Sequence, residues 1–387
     1  MADTSPDALS SPVTPHEDDA KRGPSPGAAL CLSGGGYRAM VFHIGVVWRL
    51  YELGQLAKIE RVSSVSGGSI TAAFLGLRWP QLAVASPDRS RLEQHFVAPL
   101  RQLASETIDA EAIIFGIVLP GRISQRVASA YDEALFGGAT LQHLPDAPRF
   151  VINATNVQSG VLWRFSKPYM RDYRVGKVDH PRIRLADAVA ASSAFPPVLS
   201  PFEMRLDPAS FTPKSGTDLQ RPPYTSRVLL SDGGVYDNLG LETAWKRYET
   251  ILVSDAGGQL EPEEEPKSDW AQHSYRVLNL IDNQVRALRK RQVIGSYRAP
   301  PGDRNHRKGA YWGIRTDIAN YHLPTALPCP HVRTMELAAV PTRLKRLDDA
   351  LQERLINWGY AVCDAAWRTH VDPAAAKPAA FPYPIGV

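Results

Sequence analysis

The chain reads as an α/β protein, a parallel or mixed sheet with helices on its faces, on three observations. An apolar run at residues 28–32 meets Ser33-Gly34-Gly35-Gly36 and then a helical pattern over 39–53 closed by Gly54. A second strand is expected at 59–65, breaks at Ser66-Gly67-Gly68-Ser69 and leads into 70–77, rich in small, helix-compatible residues. Finally, 387 residues at 44% hydrophobic content suffice for one large core or two modest ones, and a single α/β domain with appendages fits best.

Downstream, residues 86–140 read as mostly helical around an apolar run at 112–119, and strand character resumes at 150–155. A further strand pair is expected at 228–230 and 250–254. Beyond Gly258 the texture changes: Glu261, Glu263, Glu264 and Glu265 precede a long helical stretch over 270–294, then basic loops, then helices near 343–370. The expected organisation is a disordered tail at 1–27, a hydrolase domain at 28–260, and a helical, basic C-terminal extension at 261–387 packed on the core. The tail holds Pro6, Pro12, Pro15, Pro24 and Pro26 and lacks the apolar core of a signal peptide. The run at 112–119 is too short to span a bilayer, so no transmembrane segment is expected.

A net charge of +4 is mildly basic and by itself excludes no partner class. Cys31, Cys329 and Cys363 form no CxxC pair and no zinc-ligand spacing, which predicts reduced, structural thiols and no metal.

Ser64-Val65-Ser66-Gly67-Gly68 carries the strongest chemical signal. A serine on a sharp strand-to-helix turn presents its hydroxyl outward and needs small neighbours for strand and helix to approach. A Gly/Ser turn without function has the same wording. Gly34-Gly35-Gly36 after a strand exposes backbone N–H groups at the positive end of a helix, where an anion such as the oxyanion of acyl transfer can sit. Arg38, just inside that helix, either orients the loop or is structural. The loop lacks the Gly-Lys-Ser/Thr ending of a phosphate loop, and the next strand ends in Ser66-Gly67-Gly68 instead of the acid a dinucleotide fold wants.

Ser231-Asp232-Gly233-Gly234 follows an apolar strand and puts Asp232 at its end, although Asp-Gly is also an ordinary hairpin turn. None of the ten histidines has a context that marks it as the usual partner of a catalytic serine; His43 lies within an apolar helical pattern and reads as core. A Ser66/Asp232 dyad is the simpler proposal, provided burial lifts the aspartate from its ordinary pKa of about 3.9. Asp255, also after an apolar strand, is the rival carboxylate and reads as a turn residue.

Together, Ser33-Gly34-Gly35-Gly36-Tyr37-Arg38, Ser64-Val65-Ser66-Gly67-Gly68 and Asp232-Gly233-Gly234 resemble the blocks of patatin-like phospholipases in order and spacing. Fainter echoes are His43-Ile44-Gly45-Val46, Asn153-Ala154-Thr155-Asn156, the block from Ala191 to Pro197, and Asn238. The wording Gly-Tyr-Arg-Ala also resembles cytosolic phospholipase A relatives. The resemblance covers roughly 28–258. It implies a three-layer α/β/α patatin-like sheet and hydrolysis of acyl esters in phospholipids or neutral lipids, with no cofactor and no metal. It also implies a Ser/Asp dyad of Ser66 and Asp232, an oxyanion hole from Gly34, Gly35, Gly36 and Gly67, and support from Arg38, Gly68, Gly233 and Gly234. The sequence departs from the pattern at Ser64 and Ala39, both small in place of glycine. Another carboxylesterase, a triacylglycerol lipase, an acyltransferase or an inactive membrane-binding scaffold would keep these residues.

Residues 286–315 hold nine Lys or Arg against the single acid Asp303. An anionic lipid surface and a solvated helix face suit that excess equally; no nucleic-acid module accompanies it. A cytoplasmic protein, peripheral at the inner membrane face, is the expected setting.

Overall fold

The computed structural model describes residues 24–83, 87–108 and 122–387. Nearly all of the expected tail and the apolar run at 112–119 lie outside them. In chain order, β1 (Ser25–Leu32) starts three residues before its expected position, β2 is Ile59–Val65 and β3 is Arg149–Asn156. A meander follows in β4 (Val161–Phe165), β5 (Tyr169–Asp172) and β6 (Gly176–Asp179), then β7 (Phe202–Arg205), β8 (Arg227–Asp232), β9 (Tyr248–Asp255) and β10 (Lys308–Gly313).

The main path of the sheet runs β10-β9-β1-β2-β3-β4-β5-β6, parallel from β10 to β3 and antiparallel beyond. The parallel strands are buried at their C-terminal halves, as expected where helices cover both faces.

The helices are α1 (Gly36–Glu52), α2 (Gly67–Leu77), α3 (Ala98–Ala104), α4 (Arg122–Tyr131), α5 (Leu185–Ser192), α6 (Trp270–Arg298), α7 (His331–Ala338) and α8 (Asp349–His370). The strands' period of two sorts their side chains into two cores. Leu30, Leu32 and Leu252 join the larger core with α1, α2 and α8, while Ala29, Cys31, Ile251 and Val253 pack with Leu241, Ala244 and Val293 of α6 on the other face. That split makes the molecule a three-layer α/β/α fold.

Residues beyond 260 contribute to all three layers. β10 extends the sheet beside β9, α6 covers one face, and α8 crosses α1 on the other. The crossing is glycine-to-backbone. A Cβ on Gly45 would lie 1.9 Å from the Ile356 carbonyl oxygen, and one on Gly359 would lie 2.0 Å from that of Phe42. A buried Arg49–Asp364 pair at 2.7 Å fixes the register, and Arg368 saturates the same carboxylate.

The strand pair expected at 228–230 and 250–254 is corrected. Both segments are strands, but β8 pairs with β3 and β7, whereas β9 lies between β1 and β10. The reason is geometric and it builds the site. β2 pairs with β3 only as far as Val65 opposite Asn153, and then the chain turns away. With β4 on the far side of β3, β8 enters the vacated lane from the opposite direction and ends with Asp232 opposite Ala154. The residue after β2 and the last residue of β8 therefore meet end to end.

Candidate active site

Ser66 sits at that junction with φ 51° and ψ −124°, a left-handed conformation an L-residue adopts only when its surroundings enforce it. Its amide donates to Ser192 Oγ at 2.9 Å, and Ser192 Oγ donates to the Asn153 carbonyl at 2.6 Å, so the end of α5 props the elbow. Ser69 Oγ lies 3.0 Å from both Ser64 Oγ and Ser192 Oγ. This hydroxyl network explains how a serine at position 64 takes the place of glycine. Past the elbow no side chain fits: a Cβ on Gly67 would lie 2.1 Å from the Gly36 carbonyl oxygen, and one on Gly68 2.5 Å from that of Leu32.

Asp232 faces Ser66 from the end of β8. Its amide donates to the Ala194 carbonyl at 2.9 Å and its carbonyl accepts from Thr155 Oγ1 at 2.8 Å, which fixes the backbone. Its carboxylate accepts from the Gly234 amide at 2.7 Å, and the Ser66 side chain lies beside it in the same cavity. Burial pushes its pKa up to about 7 against the downward pull of the Gly234 amide and of Ser66, and the nearby Asp282 carboxylate adds to the rise. A Cβ on Gly233 would lie 2.3 Å from the Asn153 carbonyl oxygen, so Gly233 and Gly68 serve close backbone packing and neither lines the cavity.

The glycine loop divides in its roles. The Gly34 amide is taken by Asn238, through its carbonyl at 3.2 Å and its Oδ1 at 3.1 Å. Gly34 thus leaves the expected oxyanion set: its N–H braces the loop from behind. Among the described residues no acceptor takes the N–H of Gly35, Gly36 or Gly67, and all three line the same cavity as Ser66 and Asp232. The cavity measures about 660 Å³, with Phe195, Pro196, Pro197, Val198 and Leu199 on one side.

Arg38 is buried behind the loop, outside the cavity wall. Its guanidinium donates to the carbonyls of Ala256 and Val340 and to Thr342 Oγ1. Burial lowers its pKa to about 10, with Asp255 opposing, so it stays charged at neutral pH. It ties the glycine loop to the turn after β9 and to residues 340–344, a positioning role.

His43 places Nε2 3.0 Å from the Ser33 carbonyl oxygen and Nδ1 2.9 Å from Ser254 Oγ; burial lowers its pKa to about 4, and neither nitrogen contacts Ser66 or Asp232. Asp255 accepts from the Gly257 amide at 2.9 Å and from Tyr311 Oη at 2.7 Å, shaping the turn and standing off the cavity.

Sequence reading missed the wall opposite Ser66. Tyr275, Asn279, Asp282, Asn283 and Arg286 of α6 line the cavity, and Asp282 Oδ1 is buried without a hydrogen-bond partner. Burial lifts the Asp282 pKa to about 6, with Arg286 opposing. Their three- and four-residue spacing on one helix face was the available signal. Among the described residues no group of three His, Cys, Asp or Glu is placed to hold a metal ion, and no helix is long and apolar enough to cross a membrane.

A serine elbow end to end with a buried aspartate beneath a glycine loop, on a three-layer α/β/α sheet, defines the candidate site. Its family follows from the sequence: the patatin-like phospholipase signature matches residues 30–245, and the chain belongs to that family. No curated protein matches the chain in sequence. Human GIVD cytosolic phospholipase A2 aligns in structure with a TM-score of 0.53 at 14% identity, covering 92% of this chain and 62% of that one. Its complex with methyl gamma-linolenyl fluorophosphonate aligns at 0.50 and 15% identity, covering 93% and 60%. The chain spans about three fifths of that protein's length, and the likeness is one of fold.

Proposed function

We propose that the protein is a serine lipid acyl hydrolase of the phospholipase A or lysophospholipase type, with Ser66 as nucleophile and Asp232 as base. The observation that carries this reading is Ser66, on its strained elbow, end to end with a buried Asp232 in one cavity, with burial raising the carboxylate pKa to about 7, where a base works best at neutral pH. Ser66 Oγ attacks the acyl carbonyl carbon as its proton passes to Asp232. The developing oxyanion takes hydrogen bonds from the amides of Gly35, Gly36 and Gly67. Collapse breaks the ester bond, and the departing alcohol takes the proton back from Asp232. Water then attacks the acyl enzyme, gives its proton to Asp232, and Ser66 leaves reprotonated with release of the fatty acid.

In this reading the acyl chain lies along Phe195 to Leu199 and the polar headgroup faces α6. Residues 28–260 form the hydrolase domain, and 261–387 pack on it and supply that wall. The substrates are membrane phospholipids, and the protein works at a membrane face without crossing it.

The human relative is held with a fatty-chain fluorophosphonate, a reagent class that phosphonylates activated serines. Intact-mass measurement after incubation with that reagent tests the nucleophile. One adduct on wild type, mapped to Ser66 and missing in Ser66→Ala, is expected; labelling elsewhere, or none on wild type, would overturn the assignment.

A further inference from the structure

Helix α6 has two unlike faces. Tyr275, Asn279, Asp282, Asn283 and Arg286 face the cavity. The opposite side carries Trp270, Val277, Leu280, Ile281 and Leu288, with exposures of 84%, 42%, 48%, 52% and 57%. A single exposed apolar side chain needs no explanation. Here, six of the nine large exposed hydrophobics among the described residues lie on this helix, the sixth being Tyr275, and of its 29 residues only Val293 and Ser296 are buried.

The stripe turns cationic along its length. Arg291 and Arg298 continue the outer face at helical spacing from Leu288, and no Asp or Glu occurs from 283 to 302. Several cations of the expected basic segment are engaged internally. Arg289 pairs with Glu242 at 3.0 Å, Arg307 donates to the Trp245 carbonyl at 2.8 Å, and Arg315 pairs with Glu261 at 3.6 Å. Arg291 and Arg298 are exposed, and among the described residues no carboxylate pairs with them.

We propose that the outer face of α6 docks the protein on a lipid bilayer bearing anionic headgroups. An aromatic and aliphatic stripe with arginines beside it is the pattern of a helix lying in the membrane interface. Apolar side chains enter the acyl boundary while the arginines meet the headgroups. Tyr275 both lines the cavity and is 45% exposed, so it marks the rim at which the two faces meet. The exposed Arg291 and Arg298 beside the stripe complement anionic headgroups, whereas a second copy seated there would bring like charges together. The inference rests on the reading of bilayer lipid as substrate.

The test uses Ser66→Ala protein, so that vesicles stay intact, with and without the added changes Ile281→Glu and Leu288→Glu. Both are sedimented with phosphatidylcholine vesicles that contain or lack phosphatidylglycerol. Docking through α6 predicts sedimentation that depends on phosphatidylglycerol and weakens at least about tenfold in the charged variant. Arg291→Gln with Arg298→Gln, a separate check should the first variant misfold, is expected to remove the phosphatidylglycerol dependence. Equal sedimentation of all proteins, or none by any, overturns the proposal. So does a dimer in light scattering that the glutamates dissolve, since a second copy then owns the face. Wild-type hydrolysis of a monomeric nitrophenyl ester separates the two claims: silence there sinks the hydrolase reading alone, while unaltered vesicle binding by the variants sinks the docking alone.

Discussion

At the scale of single residues, the proposed role of Asp232 couples activity, stability and pH. Its pKa of about 7 predicts an acid limb in kcat/KM near that pH, activity rising as the carboxylate forms. Asp282 pushes this pKa up, so Asp282→Asn is expected to move the limb to lower pH; a limb that stays put or moves up would contradict the coupling. For stability the sign runs the other way. A folded pKa above the ordinary 3.8 means that the native state holds a proton that the unfolded state has lost, so stability falls as pH rises from about 4 to 7. The gap is worth on the order of 4 kcal/mol. Asp232→Asn is therefore expected to melt higher than wild type at pH 8, with little difference at pH 4, while losing hydrolysis; equal Tm at both would refute the buried, strained carboxylate. Ser66 and Asp232 were legible because strand-to-helix turns and strand ends demand particular small neighbours. The blocking of the Gly34 amide was not, because Asn238 lies 204 residues away and only the folded sheet brings it there.

At the scale of elements, glycines decide where backbones touch. Gly67→Ala would set a methyl 2.1 Å from the Gly36 carbonyl oxygen and displace the proposed oxyanion donors, so kcat is expected to fall about 10²-fold or more. Gly359→Ala would set one 2.0 Å from the Phe42 carbonyl oxygen at the α1/α8 crossing, far from the donors. It is expected to cost about 1–3 kcal/mol of stability, read as a lower Tm, with a smaller effect on kcat. The reverse pattern would show that the two glycine contacts had been misjudged. Strands that run into glycine turns were legible: β2 spans Ile59–Val65, the very segment read from sequence as ending at Ser66-Gly67-Gly68. The four-residue strands β5, β6 and β7 were not, because their patterns alternate too briefly to stand out. Nor was the partner of β8, since pairing depends on the lane β2 leaves open on β3.

At the scale of the whole molecule, the layers interlock across the expected boundary near 260. β10, α6 and α8 all lie beyond it, and the Arg49–Asp364 pair spans it at 2.7 Å. Truncation after residue 260 would strip cover from α1 and from one sheet edge and take Asp364 from Arg49. Such a fragment is expected to aggregate or to lack a cooperative unfolding transition; a soluble, active fragment would show that the C-terminal residues are dispensable. The α/β class was legible from two strand–loop–helix units. The three-layer arrangement was expected from the family resemblance, and the strand period of two sends neighbours such as Leu30 and Cys31 to opposite cores.

Acyl release from mixed phospholipid and neutral-lipid vesicles by wild type and Ser66→Ala, with mass spectrometry of the products, tests the central claim most directly. Free fatty acid and lysophospholipid from wild type, and none from the mutant, is the predicted result; equal release by both proteins would contradict it.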